Sequence, residues 1–85
     1  MKEDKFVYGR LGSGVCSEGT FITDETSCRE ACKTLNIPQA EIFGNYECYK
    51  DFRNGKCYQD GLLGWGGWDS LICKISDQIS GQFIF

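Results

Sequence analysis

The chain contains no histidine. That absence removes Ser-His-Asp and Cys-His nucleophile systems, and every zinc site built on imidazole. Proline occurs once, at Pro38. No segment is repeated, low in complexity or rich in Pro or Ser, so the sequence shows no linker. Apolar runs stop after a few residues, too short for a membrane-spanning helix. Basic residues are the minority: nine Lys and Arg against twelve Asp and Glu give a net charge of −3. A nucleic-acid or heparin binder driven by bulk charge is therefore excluded. None of Asn36, Asn45 and Asn54 opens an Asn-x-Ser/Thr acceptor. Cys-x-x-Cys is missing too, which argues against thioredoxin-type redox chemistry and zinc knuckles.

What the sequence does have is cysteine, six of them in 85 residues. A chain of this length is one domain, residues 1–85, and buries only about 60% of its unfolded surface, so its core needs a staple. An even cysteine count fits three disulfides and an oxidising compartment, and the expected location is secreted or on the extracellular surface. Met1-Lys2-Glu3-Asp4-Lys5 is charged with no apolar run behind it, and reads as the start of a mature domain or excised module rather than a leader.

Two elements are legible. Cys28, Ala31, Cys32 and Leu35 recur at helical spacing, with Arg29, Glu30 and Lys33 on the other face, which predicts a helix over about 25–35. Asp24 can cap it, or Ser27 with Glu30 can form a capping box; Asn36 and Pro38 end it. Asn54-Gly55 predicts a type I′ hairpin between Tyr46–Arg53 and Lys56–Asp60, with Arg53 opposite Lys56 and Phe52 opposite Cys57. Cys48, Phe52 and Cys57 then share one sheet face, and Tyr49, Asp51 and Tyr58 the other. Shorter strands are expected at Lys5–Tyr8, Gly19–Ile22, Leu71–Ile75 and Gln82–Phe85, with a loop over Gly61–Gly67.

Six cysteines permit fifteen pairings in principle. Cys28 and Cys32 have nearly parallel side-chain vectors on one helix, and the expected hairpin register offsets Cys48 from Cys57 by roughly 13 Å, so neither pair should bond internally. The natural solution staples the helix twice onto the hairpin and leaves Cys16 and Cys73 to close an outer loop. This arrangement of residues resembles a known family. Thr23-Asp24-Glu25-Thr26-Ser27-Cys28-Arg29-Glu30-Ala31-Cys32 is similar to the helix of the PAN/apple superfamily, and Asn54-Gly55-Lys56-Cys57-Tyr58 to its returning strand. The resemblance covers about residues 16–73. The gap from Cys16 to Cys28 is shorter than in that family, and the gap from Cys32 to Cys48 longer. Ile79-Ser80-Gly81 resembles the family's closing strand but follows the last cysteine instead of preceding it. The resemblance implies nested bridges, Cys16–Cys73, Cys28–Cys57 and Cys32–Cys48. It also implies an α+β fold with one helix on an antiparallel sheet, and protein or carbohydrate recognition without catalysis.

The candidate binding residues lie late in the chain. In Gly61-Leu62-Leu63-Gly64-Trp65-Gly66-Gly67-Trp68-Asp69 the glycines leave the indoles unshielded. Trp65 and Trp68 read either as recognition platforms, with Asp69 and Tyr58 as neighbours, or as core plugs. The expectation is that at least one indole is substantially exposed. A second candidate surface is the basic hairpin tip, Lys50, Arg53 and Lys56, against the plainer reading of solubilising charge. Tyr46, Tyr49 and Tyr58 read as hairpin packing, although an exposed Tyr49–Tyr58 pair would extend a binding surface. Asp60 and Asp69 are the only carboxylate pair worth naming for glycoside hydrolysis, and nothing in their spacing selects them. The resulting expectation is a secreted or surface-displayed binding module for an extracellular protein or glycan, with no catalysis, cofactor, metal or nucleic acid. Competing readings are a small secreted effector (toxin, protease inhibitor or host-directed factor) and a structural unit of a larger assembly, associating through the apolar tail Ile79–Phe85.

Overall fold

Asp24 starts the helix: its Oδ2 accepts from the backbone N–H of Ser27 at 2.8 Å, so Asp24 itself is the cap and helix α1 runs Glu25–Thr34. Asn36 ends it. Its φ of 59° is left-handed, and it sits in a Schellman turn where Asn36 N–H donates to the Lys33 carbonyl and Ile37 N–H to that of Cys32. These details come from a computed structural model, which describes residues 5–63 and 67–75.

Six strands accompany this helix among the described residues: β1 Lys5–Tyr8, β2 Thr20–Phe21, β3 Gln39–Ile42, β4 Tyr49–Asp51, β5 Lys56–Gln59 and β6 Asp69–Ile75. β6 is central. β1 pairs along one edge of it, while the other edge is shared end to end by β4 and β2, all antiparallel. β5 follows β4, and β3 joins β5 in parallel. The sheet is therefore mixed, which corrects the antiparallel expectation. Residues 35–38 carry the chain from α1 directly into β3, an edge strand with only Ile42 buried. A strand exposed at three of four positions leaves no alternating pattern to read.

The hairpin differs in register from the type I′ expectation. Asp51 lies opposite Lys56, Lys50 opposite Cys57 and Tyr49 opposite Tyr58. Gly55 alone of the turn pair has positive φ, 74°, and its N–H donates to the Asp51 carbonyl, closing a longer loop over Phe52–Gly55. Asn54 stabilises that loop through its side chain, with Oδ1 accepting from Lys56 N–H and Nδ2 donating to the Tyr58 hydroxyl. A shift of two residues preserves every face assignment, because side chains alternate with period two.

The face carrying Cys48, Cys57 and Ile72 meets the helix. Its core holds Ile22, Cys28, Ala31, Cys32, Ile37, Ile42, Cys48, Cys57 and Ile72, with Phe6 and Leu35 packed at its margin. Four of these nine are half-cystines, so the bridges are themselves the core. They pair Cys28–Cys48, Cys32–Cys57 and, on the opposite face, Cys16–Cys73. The helix is stapled twice to the hairpin as expected, but the two inner bridges are exchanged relative to the nested pattern. Backbone pairing gives the reason. Cys48 N–H donates to the carbonyl of Ile22, just ahead of the helix, while Cys57 N–H donates to that of Pro38, just behind it. Cys48 thus lies by the first turn and Cys28, and Cys57 by the last turn and Cys32. The four sulfurs converge within 4.8 Å of one another, so the wide offset expected between Cys48 and Cys57 does not occur. No helix among the described residues is long and apolar enough to cross a membrane.

Candidate functional site

The sheet face turned away from the helix carries a groove of about 270 Å³ lined by Tyr49, Asp51, Arg53, Tyr58, Asp60, Leu62 and Asp69. Strand alternation builds it. Tyr49 and Asp51 on β4 face outward together, Tyr58 answers Tyr49 across β5, and Asp69 answers Asp51 across β6. The Tyr49 and Tyr58 rings stack, with centroids 5.6 Å apart and planes 16° from parallel. Tyr49 is buried, and its hydroxyl donates to Asp60 Oδ1 at 2.6 Å. Burial first, then the bond to the Asp60 carboxylate, drives the Tyr49 phenol far above its ordinary range, so it stays a neutral donor. Asp60 also accepts from Leu62 N–H, which sets the start of the following loop.

Asp51 and Asp69 are directly opposed carboxylates, both buried, an arrangement that repels unless a cation intervenes. Arg53 supplies it. Its Nη2 lies 3.0 Å from Asp51 Oδ2 and its Nε 3.3 Å from Oδ1, and its backbone N–H donates to the same carboxylate. These bonds hold the Asp51 carboxyl below the usual carboxylate range. Three carboxylates against one guanidinium still leave the groove acidic.

Of the predicted site residues, the structure brings Tyr58, Asp69 and Arg53 into this groove. Trp68 is 50% exposed, in line with the expectation of an accessible indole, but it does not line the groove. Trp65, the strand at Gln82–Phe85 and the apolar tail Ile79–Phe85 lie outside the described residues, as does part of the Gly61–Gly67 loop. The basic tip is divided between faces. Lys50 projects to the helix side, its Nζ 4.5 Å from the Phe52 ring centroid and 5.6 Å from that of Tyr8, while Arg53 turns to Asp51. Lys56, on β5, is exposed.

Asp51 and Leu62 join the site beyond the expected contacts, Tyr49 enters as the buried half of the Tyr49–Tyr58 pair, and Asp60 as the acceptor of the Tyr49 hydroxyl. Three of these carry a sequence signal: Tyr49 and Asp51 share a face with Tyr58 by alternation, and Asp60 follows β5 two residues after Tyr58. Asp69 needed the β4–β6 register, which is a long-range pairing. Arg29, on the solvent face of α1 by its periodicity, ties the helix to β3 by donating to Gln39 Oε1 at 2.8 Å. No family model, curated protein or solved structure matches this chain.

Proposed function

We propose that this domain is a secreted or surface-displayed binding module, without catalysis of its own, that takes one sugar ring of an extracellular glycan in the groove beside Tyr58. The observation that carries the reading is the groove's mixture of groups. A sugar ring has an apolar face and a rim of hydroxyls, so it needs an aromatic wall together with both acceptors and donors. The half-buried Tyr58, backed by Tyr49, offers the wall; Asp60 and Asp69 offer acceptors, and Arg53 donors. A volume of about 270 Å³ suits one ring or one side chain, not a whole small-molecule ligand of the usual size. Groups already tied down, such as Arg53 on Asp51, lose little freedom on binding. Three disulfides support the extracellular setting. The PAN/apple resemblance points the same way, since it implies protein or carbohydrate recognition.

Glycan-array binding by the wild-type domain, repeated with Tyr58→Ala and Arg53→Ala, tests this. The expected result is a defined glycan set lost in both variants, with about 2 kcal/mol of binding removed by the tyrosine change while circular dichroism shows both variants still folded. Binding that survives Tyr58→Ala, or a wild-type domain that binds protein and no glycan, contradicts it.

A further inference from the structure

We propose that the inner four-cysteine cluster, when reduced, is a binding site for one thiophilic divalent ion of the zinc class. Cys28 and Cys32 come from successive turns of α1, Cys48 from the residue preceding β4 and Cys57 from β5. All four are fully buried, and their Sγ atoms lie within 4.8 Å of one another. A zinc ion with Zn–S bonds of about 2.3 Å needs sulfurs at the corners of a tetrahedron with edges of roughly 3.8 Å. Breaking the two bonds lets each bonded pair part toward that figure by side-chain rotation, while the unbonded sulfurs, no more than 4.8 Å apart, close on it by about 1 Å at most. The backbone need not move: Cα separations of 5.6 Å across Cys28–Cys48 and 6.2 Å across Cys32–Cys57 accommodate a sulfur–metal–sulfur link as well as a disulfide. The donor set is all sulfur, which selects zinc-class ions over oxygen-seeking calcium or magnesium. The site is separate from the groove, which opens on the other face of the sheet.

A water-soluble phosphine reduces each disulfide, taking up the oxygen of one water to become the phosphine oxide, and the two protons of that water pass to the two sulfurs. One metal ion then replaces the four thiol protons, which go to solvent. Metal binding to the reduced chain thereby restores the link between helix and hairpin that reduction breaks.

The test is anaerobic cobalt titration of the full chain after phosphine reduction, followed by zinc. The expected result is a tetrahedral thiolate–cobalt spectrum saturating at one equivalent, bleached by zinc, with helical circular dichroism regained on loading. Native mass spectrometry should show one zinc on the reduced chain and none on the oxidised chain. The double variant Cys16→Ser/Cys73→Ser should keep the spectrum, and Cys28→Ser or Cys57→Ser should lose it. Absence of the spectrum at one equivalent overturns the proposal. So does its persistence in Cys57→Ser, or its loss when only the outer pair is replaced.

Discussion

At the scale of single residues, two carboxylates and two glycines carry disproportionate weight. Asp24 caps α1, and the bonds from Ser27 hold its carboxyl below the ordinary range; Arg53 does the same for Asp51. A depressed folded value means stability that is present above the unfolded carboxylate range and lost as pH falls through the folded one. Denaturant midpoints should therefore hold near neutrality and fall below about pH 4. Replacing Asp24 with Ala should cost about 1 kcal/mol at pH 7 and flatten that acid limb, as read by urea titration at both pH values. Gly55 and Gly19 both have positive φ, near 75°. At Gly55 an added Cβ meets open space, so Gly55→Ala should cost only the backbone penalty of about 1–2 kcal/mol. At Gly19 the same Cβ runs into the carbonyl of Lys74, where β2 joins β6. Gly19→Ala should cost clearly more, and equal losses in a melting comparison would refute the close approach.

At the scale of elements, what the sequence revealed was local. The stripe of Cys28, Ala31 and Cys32 with Asp24 before it placed α1 within a residue, because capping and periodicity are properties of neighbours. β1, the core of β2 and most of β6 were legible for the same reason. β3 was not, since its pairing with β5 is parallel and its only buried side chain is Ile42. The hairpin register slipped because Asn54 works here through its side chain rather than through a left-handed backbone. The candidate site was half legible: alternation gave the Tyr49–Asp51–Tyr58 face, but only the partner strand β6 brings Asp69 to it. The Tyr49 hydroxyl clamps β4 to the end of β5 through Asp60. Tyr49→Phe should cost about 1 kcal/mol. With its folded value raised, the phenol's contribution is full below about pH 10 and lost above it, so the variant should also show a weaker alkaline decline in stability than the wild type.

At the scale of the molecule, the core beneath α1 is too small to hold the fold by apolar burial alone. Among the described residues, its largest fully buried apolar members are Ile22 and Ile72, with no aromatic ring beside them. Loss of either inner bridge should cost about 2–5 kcal/mol, measurable as a drop in the denaturant midpoint of Cys28→Ala/Cys48→Ala. The order of the inner bridges follows from strand pairing, with Cys48 held beside the helix entry and Cys57 beside its exit. The hairpin register, the helix position and the parallel β3 all meet in that order. A non-reducing peptide map tests it directly, with free thiols blocked and the chain cut by trypsin together with an aspartate-specific protease. Cleavage at Asp24, Arg29, Lys33, Lys50 and Asp60 separates all six cysteines. Cys28 should be recovered with Cys48, Cys32 with Cys57, and Cys16 with Cys73; recovery of Cys28 with Cys57 and Cys32 with Cys48 would contradict this pairing.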